Sequence, residues 1–354
     1  MSTVIGLVIV LGVLIFFHEL GHFLVAKAFG VGVERFSLGF GPKILKKTIG
    51  ETQYCISALP LGGYVKMVGE QPDAELDDAE IPYSFTHKPV SRRMLIVAAG
   101  PFFNFILCIL IFFGIFSISG ERILEPVIGK IKDGSPAQSA GLESGDRVVA
   151  VQDKVINAWP EMAEAIARSG GRPIDFTIER DGRRRQVTIS PVKDEVEDVF
   201  GETRDRFLVG ITAAGEVRAE RLNPVAAMGE SLYRTYMIVE LTIVSVVKLI
   251  QGAISADTLG GPIMIAQLAG EQVEHGIVNL LAFIALVSVN LGILNLLPVP
   301  VLDGGHILFF GIEAIMGRPV SLRVREVAQQ VGIFLLMLLM VFVFYNDIMR
   351  LLTG

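Results

Sequence analysis

The stretch that decides the reading is Val4-Ile-Gly-Leu-Val-Ile-Val-Leu-Gly-Val-Leu-Ile-Phe-Phe-His18-Glu19-Leu-Gly-His22-Phe-Leu-Val-Ala26. It is unbroken apolar sequence from Val4 to Phe17 and turns apolar again at Phe23. About 20 apolar residues cross a ~30 Å hydrocarbon core, so the stretch is long enough to span. Ionisable groups at that depth are costly and are functional by default. In a helix, positions i and i+4 share a face, so His18 and His22 can hold a single Zn2+ ion. Glu19 between them can take a proton from an attacking water and pass it to a leaving amine. The bland alternative is a buried polar cluster that merely joins helices.

No Lys or Arg precedes Val4, and no small-residue cleavage site follows, so the run reads as a retained membrane helix rather than a signal peptide. The whole chain agrees. Its 354 residues are 51% hydrophobic and 19% charged, with a mean hydropathy of +0.56, which is far to the apolar side for a soluble domain. A net charge of −6 argues against nucleic acid as a partner. Of the two cysteines, Cys108 falls in an apolar run and Cys55 does not, so neither a disulfide nor a cysteine metal site is expected.

The pattern predicts a polytopic α-helical membrane protein with four spans, at residues 1–29, 92–118, 277–302 and 327–350. Residues 30–91 form a loop that reads as short strands, Val33–Phe40, Gln53–Ala58 and Tyr64–Val68, followed by an acidic, solvated stretch from Glu70 to Glu80. Residues 125–193 read as an inserted soluble α+β domain with strands at Val127–Ile131, Arg147–Val151, Asp175–Glu179 and Gln186–Ile189 and a helix at Trp159–Arg168. Its run Ser135-Pro-Ala-Gln-Ser-Ala-Gly-Leu-Glu-Ser-Gly-Asp146, followed by Val148 to Val151, resembles PDZ domains, which bind a peptide as an added strand. Residues 194–223 are expected to be a linker. Residues 224–254 are apolar but carry Glu240 and Lys248, so they read as an amphipathic helix lying at the membrane interface.

Charge sets the orientation. Lys27, Arg92 and Arg93 flank the first loop, and Arg318, Arg323 and Arg325 lie between the third and fourth spans. Both loops are therefore expected on the cytoplasmic side of the membrane, with the soluble domain outside.

A catalytic zinc needs a third protein ligand and an open position. Asp303, at the end of the third span, is the leading candidate, with His306 and Glu313 as rivals and an N-cap or turn role as its plain alternative. His18 lies fourteen residues beyond Val4, about 21 Å along a helix, and so near the cytoplasmic side. Asp303 reaches that side only if the number of crossings between spans one and three is even. Asn290 and Asn295 can hydrogen-bond an extended substrate or bind helix to helix. Asn104, after Gly100-Pro101, can support the site or act as the same kind of glue. The glycines Gly62 and Gly63 sit in a strand that could offer an edge to an unwound substrate, or simply belong to a hairpin.

These segments together resemble the site-2 protease family. His18-Glu-Leu-Gly-His22, Gly100-Pro-Phe-Phe-Asn104 and Asn295-Leu-Leu-Pro-Val-Pro-Val-Leu-Asp303-Gly carry the likeness. Glu34 to Gly41, Ala58 to Met67, Gly261-Pro-Ile and Ser288 to Gly292 are similar to the bacterial branch that includes the regulator of sigma-E protease. The resemblance implies one Zn2+ per chain held by His18, His22 and Asp303, with Glu19 as general base. It also implies a membrane-associated β-loop that receives substrate, and Asn290 and Asn295 holding that substrate. Its implied partners are single-pass membrane proteins already cut by another protease, such as anti-sigma factors, and remnant signal peptides. The chain departs from the enterobacterial pattern in showing one PDZ-like region rather than two in tandem. Two other classes remain open on the residues alone: a non-catalytic membrane adaptor, and a metal transporter with intramembrane His and Asp lining a path.

Overall fold

The computed structural model describes residues 2–71, 75–197 and 200–353. The chain divides into two compact units, Met1–Gly114 with Ala226–Gly354, and Ile115–Val225.

Among the described residues, four helices are long and apolar enough to cross a membrane: α1 (Ser2–Ala28), α2 (Val90–Ile118), α7 (Ile277–Leu296) and α9 (Leu322–Thr353). Helix α1 contains no proline. It ends where the Val31 amide bonds the Ala26 carbonyl and the Gly30 amide bonds that of Lys27, with Gly30 at φ +66°. That is a Schellman closure, and the apolar contact that accompanies it is present too, since Val31 and Ala26 are both buried in one cluster. A second cluster joins α1 (Val10, Leu14), α2 (Leu107), α6 (Pro262–Glu274; Ala269) and α7 (Leu280, Ile284).

The loop after α1 is a long hairpin, β1 (Val33–Ile49) and β2 (Thr52–Met67), whose irregular register folds it back on itself. Residues 33–38 pair on one side with 63–67 (Leu38↔Gly63 to Val33↔Met67) and on the other with 53–56 (Arg35↔Gln53 to Leu38↔Ile56). Residues 45–49 then close against 52–56. The hairpin is thus four segments wide, and 63–67 is one edge. The pairing of 43–49 was not expected: Lys43, Ile44, Leu45, Lys46 and Lys47 show no alternation, and all are exposed. The following acidic stretch includes residues 72–74, which lie outside the described residues.

The boundary that matters most differs from expectation. The third apolar run was read as a span to residue 302, but α7 stops at Leu296, with Leu297 extended (φ −63°, ψ 143°). Pro298 causes this, because a proline disfavours helical geometry in the residue before it. A new helix, α8 (Asp303–Met316), then starts at Asp303 itself. Helix α5 covers Pro224–Ile250 and buries a stripe of small and hydroxyl residues, Ala227, Ser231 and Thr235. Large apolar residues such as Leu232, Tyr236 and Val247 face outward.

The second unit is built around an antiparallel sheet in the order β6 (Lys154–Val155), β5 (Arg147–Val151), β7 (Ile174–Arg180), β8 (Arg183–Ile189). Ile174, Phe176 and Ile178 alternate inward along β7. Helix α4 (Trp159–Arg168) lays Met162 and Ile166, spaced i and i+4, onto the same core. The expected linker at 194–223 is corrected here. It holds β10 (Thr203–Leu208), β11 (Ile211–Ala213), β12 (Val217–Glu220) and most of β9 (Val192–Glu197). The strands β11 and β12 pair with β4 (Ile128–Ile131) and β3 (Glu121–Leu124). These strands are short and largely exposed, so only partners some 80 to 100 residues upstream make them strands.

Asp146 is almost fully buried. It receives Arg180 Nε and Nη2 at 2.6 and 2.7 Å, while its Oδ2 caps the Glu143 amide at 2.8 Å. Removing Asp146 leaves Arg180 Nε without its partner and the Glu143 amide uncapped, although Glu143 and the Gly141 carbonyl still hold the guanidinium. Asp146→Ala is expected to destabilise this unit by about 3 kcal/mol. Lys193→Ala, which opens the exposed Lys193–Asp205 pair, should leave the midpoint unchanged. Denaturant unfolding followed by the fluorescence of Trp159, the chain's only tryptophan, measures both.

Candidate metal centre

His18 and His22 stand one turn apart on α1, and Asp303 comes to them as the first residue of α8. His18 Nε2 lies 3.2 Å from Asp303 Oδ2, His22 Nε2 lies 3.7 Å from the same oxygen, and the two nitrogens are 3.3 Å apart. Ligands of a tetrahedral zinc with bonds of ~2.0–2.1 Å are separated by roughly 3.3 Å, so the triangle has the size of one face of such a site. Asp303 Oδ2 is buried with no hydrogen-bond partner, which is what a cation between the three atoms would correct. The donor set, two imidazoles and one carboxylate, is that of a catalytic zinc with a fourth position left for water.

Each group is placed for a reason. His22 Nδ1 is 2.9 Å from the Ile96 carbonyl of α2. A carbonyl only accepts, so the His22 proton sits on Nδ1 and the Nε2 lone pair is free for a metal. Helix α2 can come this close because residue 100 is glycine. A Cβ there would lie 2.2 Å from His22 Nε2 and 2.9 Å from His18 Cε1. Its neighbour Pro101 lies inside α2 and lacks an amide hydrogen, leaving the Val97 carbonyl without its usual helical donor. Asp303 is delivered by a six-residue turn, 297–302, that doubles back from α7. Gly304 allows it, since a Cβ there would strike the Leu296 and Leu297 carbonyls at 2.3 and 2.2 Å.

Neither Glu313 nor His306 joins the convergent group among the described residues. Glu313 is held by Arg93 through Nη2–Oε1 at 2.6 Å and Nη1–Oε2 at 3.2 Å, and Arg325 lies 3.5 Å from it. His306 is one turn along α8 and is not in the convergent group found among the described residues, which is His18, His22 and Asp303. Glu19 borders the β-hairpin. A Cβ on Gly63 would meet Glu19 Cγ at 3.1 Å, and the Val65 amide faces the Glu19 carboxylate. Asn290 points to α5, where it accepts from Thr242 Oγ1 at 2.7 Å. Asn295 is half-buried in the last turn of α7, eight residues before Asp303. The supporting roles of Ile96 and Gly100 were not read from the sequence. The only signal was the Gly100-Pro101 pair, which marks a break in an otherwise apolar run.

The sequence matches peptidase family M50 over residues 6–339. This chain belongs to that family, the site-2 proteases. It is 36% identical over 358 residues to a zinc-metalloprotease relative from Agrobacterium fabrum, covering 98% of this chain and 95% of the relative. It is 32% identical over 424 residues to zinc metalloprotease RasP of Geobacillus kaustophilus, covering 99% and 98%. A relative from Rickettsia conorii, also named a zinc metalloprotease, is 35% identical over 359 residues, covering 99% of each chain. The M50 chain is therefore a zinc-dependent metalloprotease, and its spans place it among membrane proteins.

The packing of Gly100 makes a sharp forecast. Gly100→Ala should lower zinc affinity ~10-fold or more, as losses around ligating histidines do. Gly114→Ala, where a Cβ meets nothing within 4 Å, should leave it unchanged. Metal analysis after dialysis against a graded chelator reads both.

Proposed function

We propose that this M50 protease hydrolyses peptide bonds within the transmembrane segments of single-pass membrane proteins, as one step of regulated intramembrane proteolysis. The substrate class comprises anti-sigma factors and remnant signal peptides already shortened by another protease. The observation that carries the reading is the ligand triangle of His18, His22 and Asp303, with Glu19 beside it, assembled from helices apolar enough to lie in a bilayer.

In this reading His18 Nε2, His22 Nε2 and one Asp303 oxygen hold the ion. A zinc bound there supplies a Lewis acid for the scissile carbonyl and makes water nucleophilic near neutral pH. Glu19 receives the proton of the attacking water and returns it to the departing amine nitrogen, so its carboxylate ends each cycle as it began. The buried surroundings strengthen every charge interaction in the site.

A helical substrate hides its scissile bond in its own hydrogen bonds and must be received extended. The 63–67 edge of the hairpin pairs on one side only, with 33–38, and runs past Glu19. An unwound substrate strand added there would be presented to the catalytic carboxylate. We place Asn290 and Asn295 on the same path, with Asn295 the freer of the two because Asn290 is engaged by Thr242. We read the unit Ile115–Val225 as a single PDZ domain on the outer face. Its cavity of ≈ 1000 Å³ between α4 and residues 206–212, lined by Ile131, Trp159, Met162, Ile166, Leu208 and Ile211, supports that reading as a seat for a peptide segment. The basic residues flanking the hairpin and the α8–α9 connection support a cytoplasmic-side active site in a bacterial inner membrane.

Glu19→Gln keeps the shape and removes the base. Reconstituted in liposomes with a single-pass substrate, it should cut roughly 10²–10⁴-fold more slowly while retaining zinc. Cleavage within a few-fold of the unsubstituted enzyme would overturn the assignment. Stripping zinc with a chelator should abolish cleavage, and one equivalent of Zn2+ should restore it.

A further inference from the structure

Asn104 is completely buried in α2, and its side chain touches His18: Nδ2 lies 3.3 Å from His18 Nδ1, while Oδ1 has no partner. The two ends of a primary amide have the same shape, so hydrogen bonding decides which end faces a neighbour. With Nδ2 toward the ring, His18 Nδ1 would have to be the bare acceptor and the ring proton would sit on Nε2. That nitrogen points into the ligand triangle, 3.2 Å from Asp303 Oδ2 and 3.3 Å from His22 Nε2. A proton there would block the metal. With the amide turned by 180°, Oδ1 faces the ring, accepts the proton of His18 Nδ1 and is no longer without a donor. His18 Nε2 then carries a lone pair, and His18 becomes the counterpart of His22, whose Nδ1 proton goes to the Ile96 carbonyl.

We propose that Asn104 is the positioning residue of His18, its side-chain oxygen fixing the tautomer and ring angle that turn Nε2 to the metal. The inference rests on the reading of His18 as a zinc ligand.

The alternative, that Asn104 binds helix to helix, is met by a different atom. Ser288 Oγ of α7 donates to the Asn104 backbone carbonyl at 2.8 Å, and both residues are fully buried. That tie runs through the main chain and survives any change of the Asn104 side chain. The amide is thus left to His18.

The test uses the full-length chain in detergent, with zinc as the probe and a competing chelator to set the free ion concentration. Asn104→Leu keeps a similar volume and removes the acceptor. It should weaken zinc binding roughly 10–100-fold, the usual loss when the partner of a ligating histidine is removed. Asn104→Asp offers a carboxylate to the same proton and should hold affinity within about threefold of the parent, since carboxylate–histidine–zinc relays are a common form of this contact. Ser288→Ala removes the interhelical tie without touching His18 and should also stay within about threefold. Equal zinc affinity in Asn104→Leu and the parent overturns the proposal, as does an equal loss in Asn104→Asp and Asn104→Leu. His18→Ala separates the two layers. If it binds zinc as tightly as the parent, the ligand assignment itself fails. If it loses zinc while Asn104→Leu does not, only the role of Asn104 fails. In the metal-free protein, ¹⁵N shifts of the His18 ring should show Nδ1 protonated in the parent and in Asn104→Asp, and a mixture of tautomers in Asn104→Leu.

Discussion

Asp303 Oδ2 sits in the protein interior, 3.2 and 3.7 Å from two imidazole nitrogens, and neither contact has the geometry of a hydrogen bond. An anionic oxygen so placed is expensive unless a positive charge compensates it, and the cost of taking one carboxylate out of water is several kcal/mol. A divalent cation between the three atoms turns that cost into a binding site. Much of the surrounding architecture serves this convergence. Helix α1 puts the two histidines on one face, α2 holds His22 by the Ile96 carbonyl and closes in over Gly100, and the turn 297–302 doubles back to begin α8 with Asp303.

The placement of α8 depends on a second buried charge pair at its far end. Arg93 of α2 grips Glu313 with two hydrogen bonds, stacks over the Phe310 ring at 4.9 Å and donates through Nε to the Lys88 carbonyl. Both side chains are about nine-tenths buried. Such a pair contributes little net stability, because desolvation offsets much of the attraction. Its geometric effect is larger. It fixes α8 against α2, and thereby sets the distance from Asp303 to histidines held by the same α2. The Arg93–Glu313 pair thus helps to position Asp303.

The parts legible in the sequence were those governed by local periodicity or by strong chemistry. His18-Glu19-x-x-His22 needs only helical spacing to put two imidazoles side by side. The inward alternation of Ile174, Phe176 and Ile178, and the i, i+4 pair Met162 and Ile166, could be read directly. The strands of residues 203–220 could not. Thr203 to Arg206 and Val217 to Glu220 have no buried face of their own, so nothing in their pattern distinguishes them from a linker. The end of α7 was misjudged for a related reason. The apolar run continues to Leu302, and hydropathy outweighed Pro298, which stops the helix at Leu296.

The sequence by itself determined that the chain has four apolar spans, that a two-histidine metal motif lies within the first, and that an acid near residue 303 is a candidate to complete it. These follow from side-chain chemistry and from spacings of a few residues, which a helix converts directly into geometry. Only the tertiary structure shows which of Asp303, His306 and Glu313 converges with the two histidines: Asp303 does, while Glu313 is already paired with Arg93. Only it could show Ile96, Gly100 and Asn104 closing around the two imidazoles, because these contacts join residues more than seventy positions apart. The physical reason is that a ligand's identity is a property of one side chain, whereas its orientation is a property of everything packed against it.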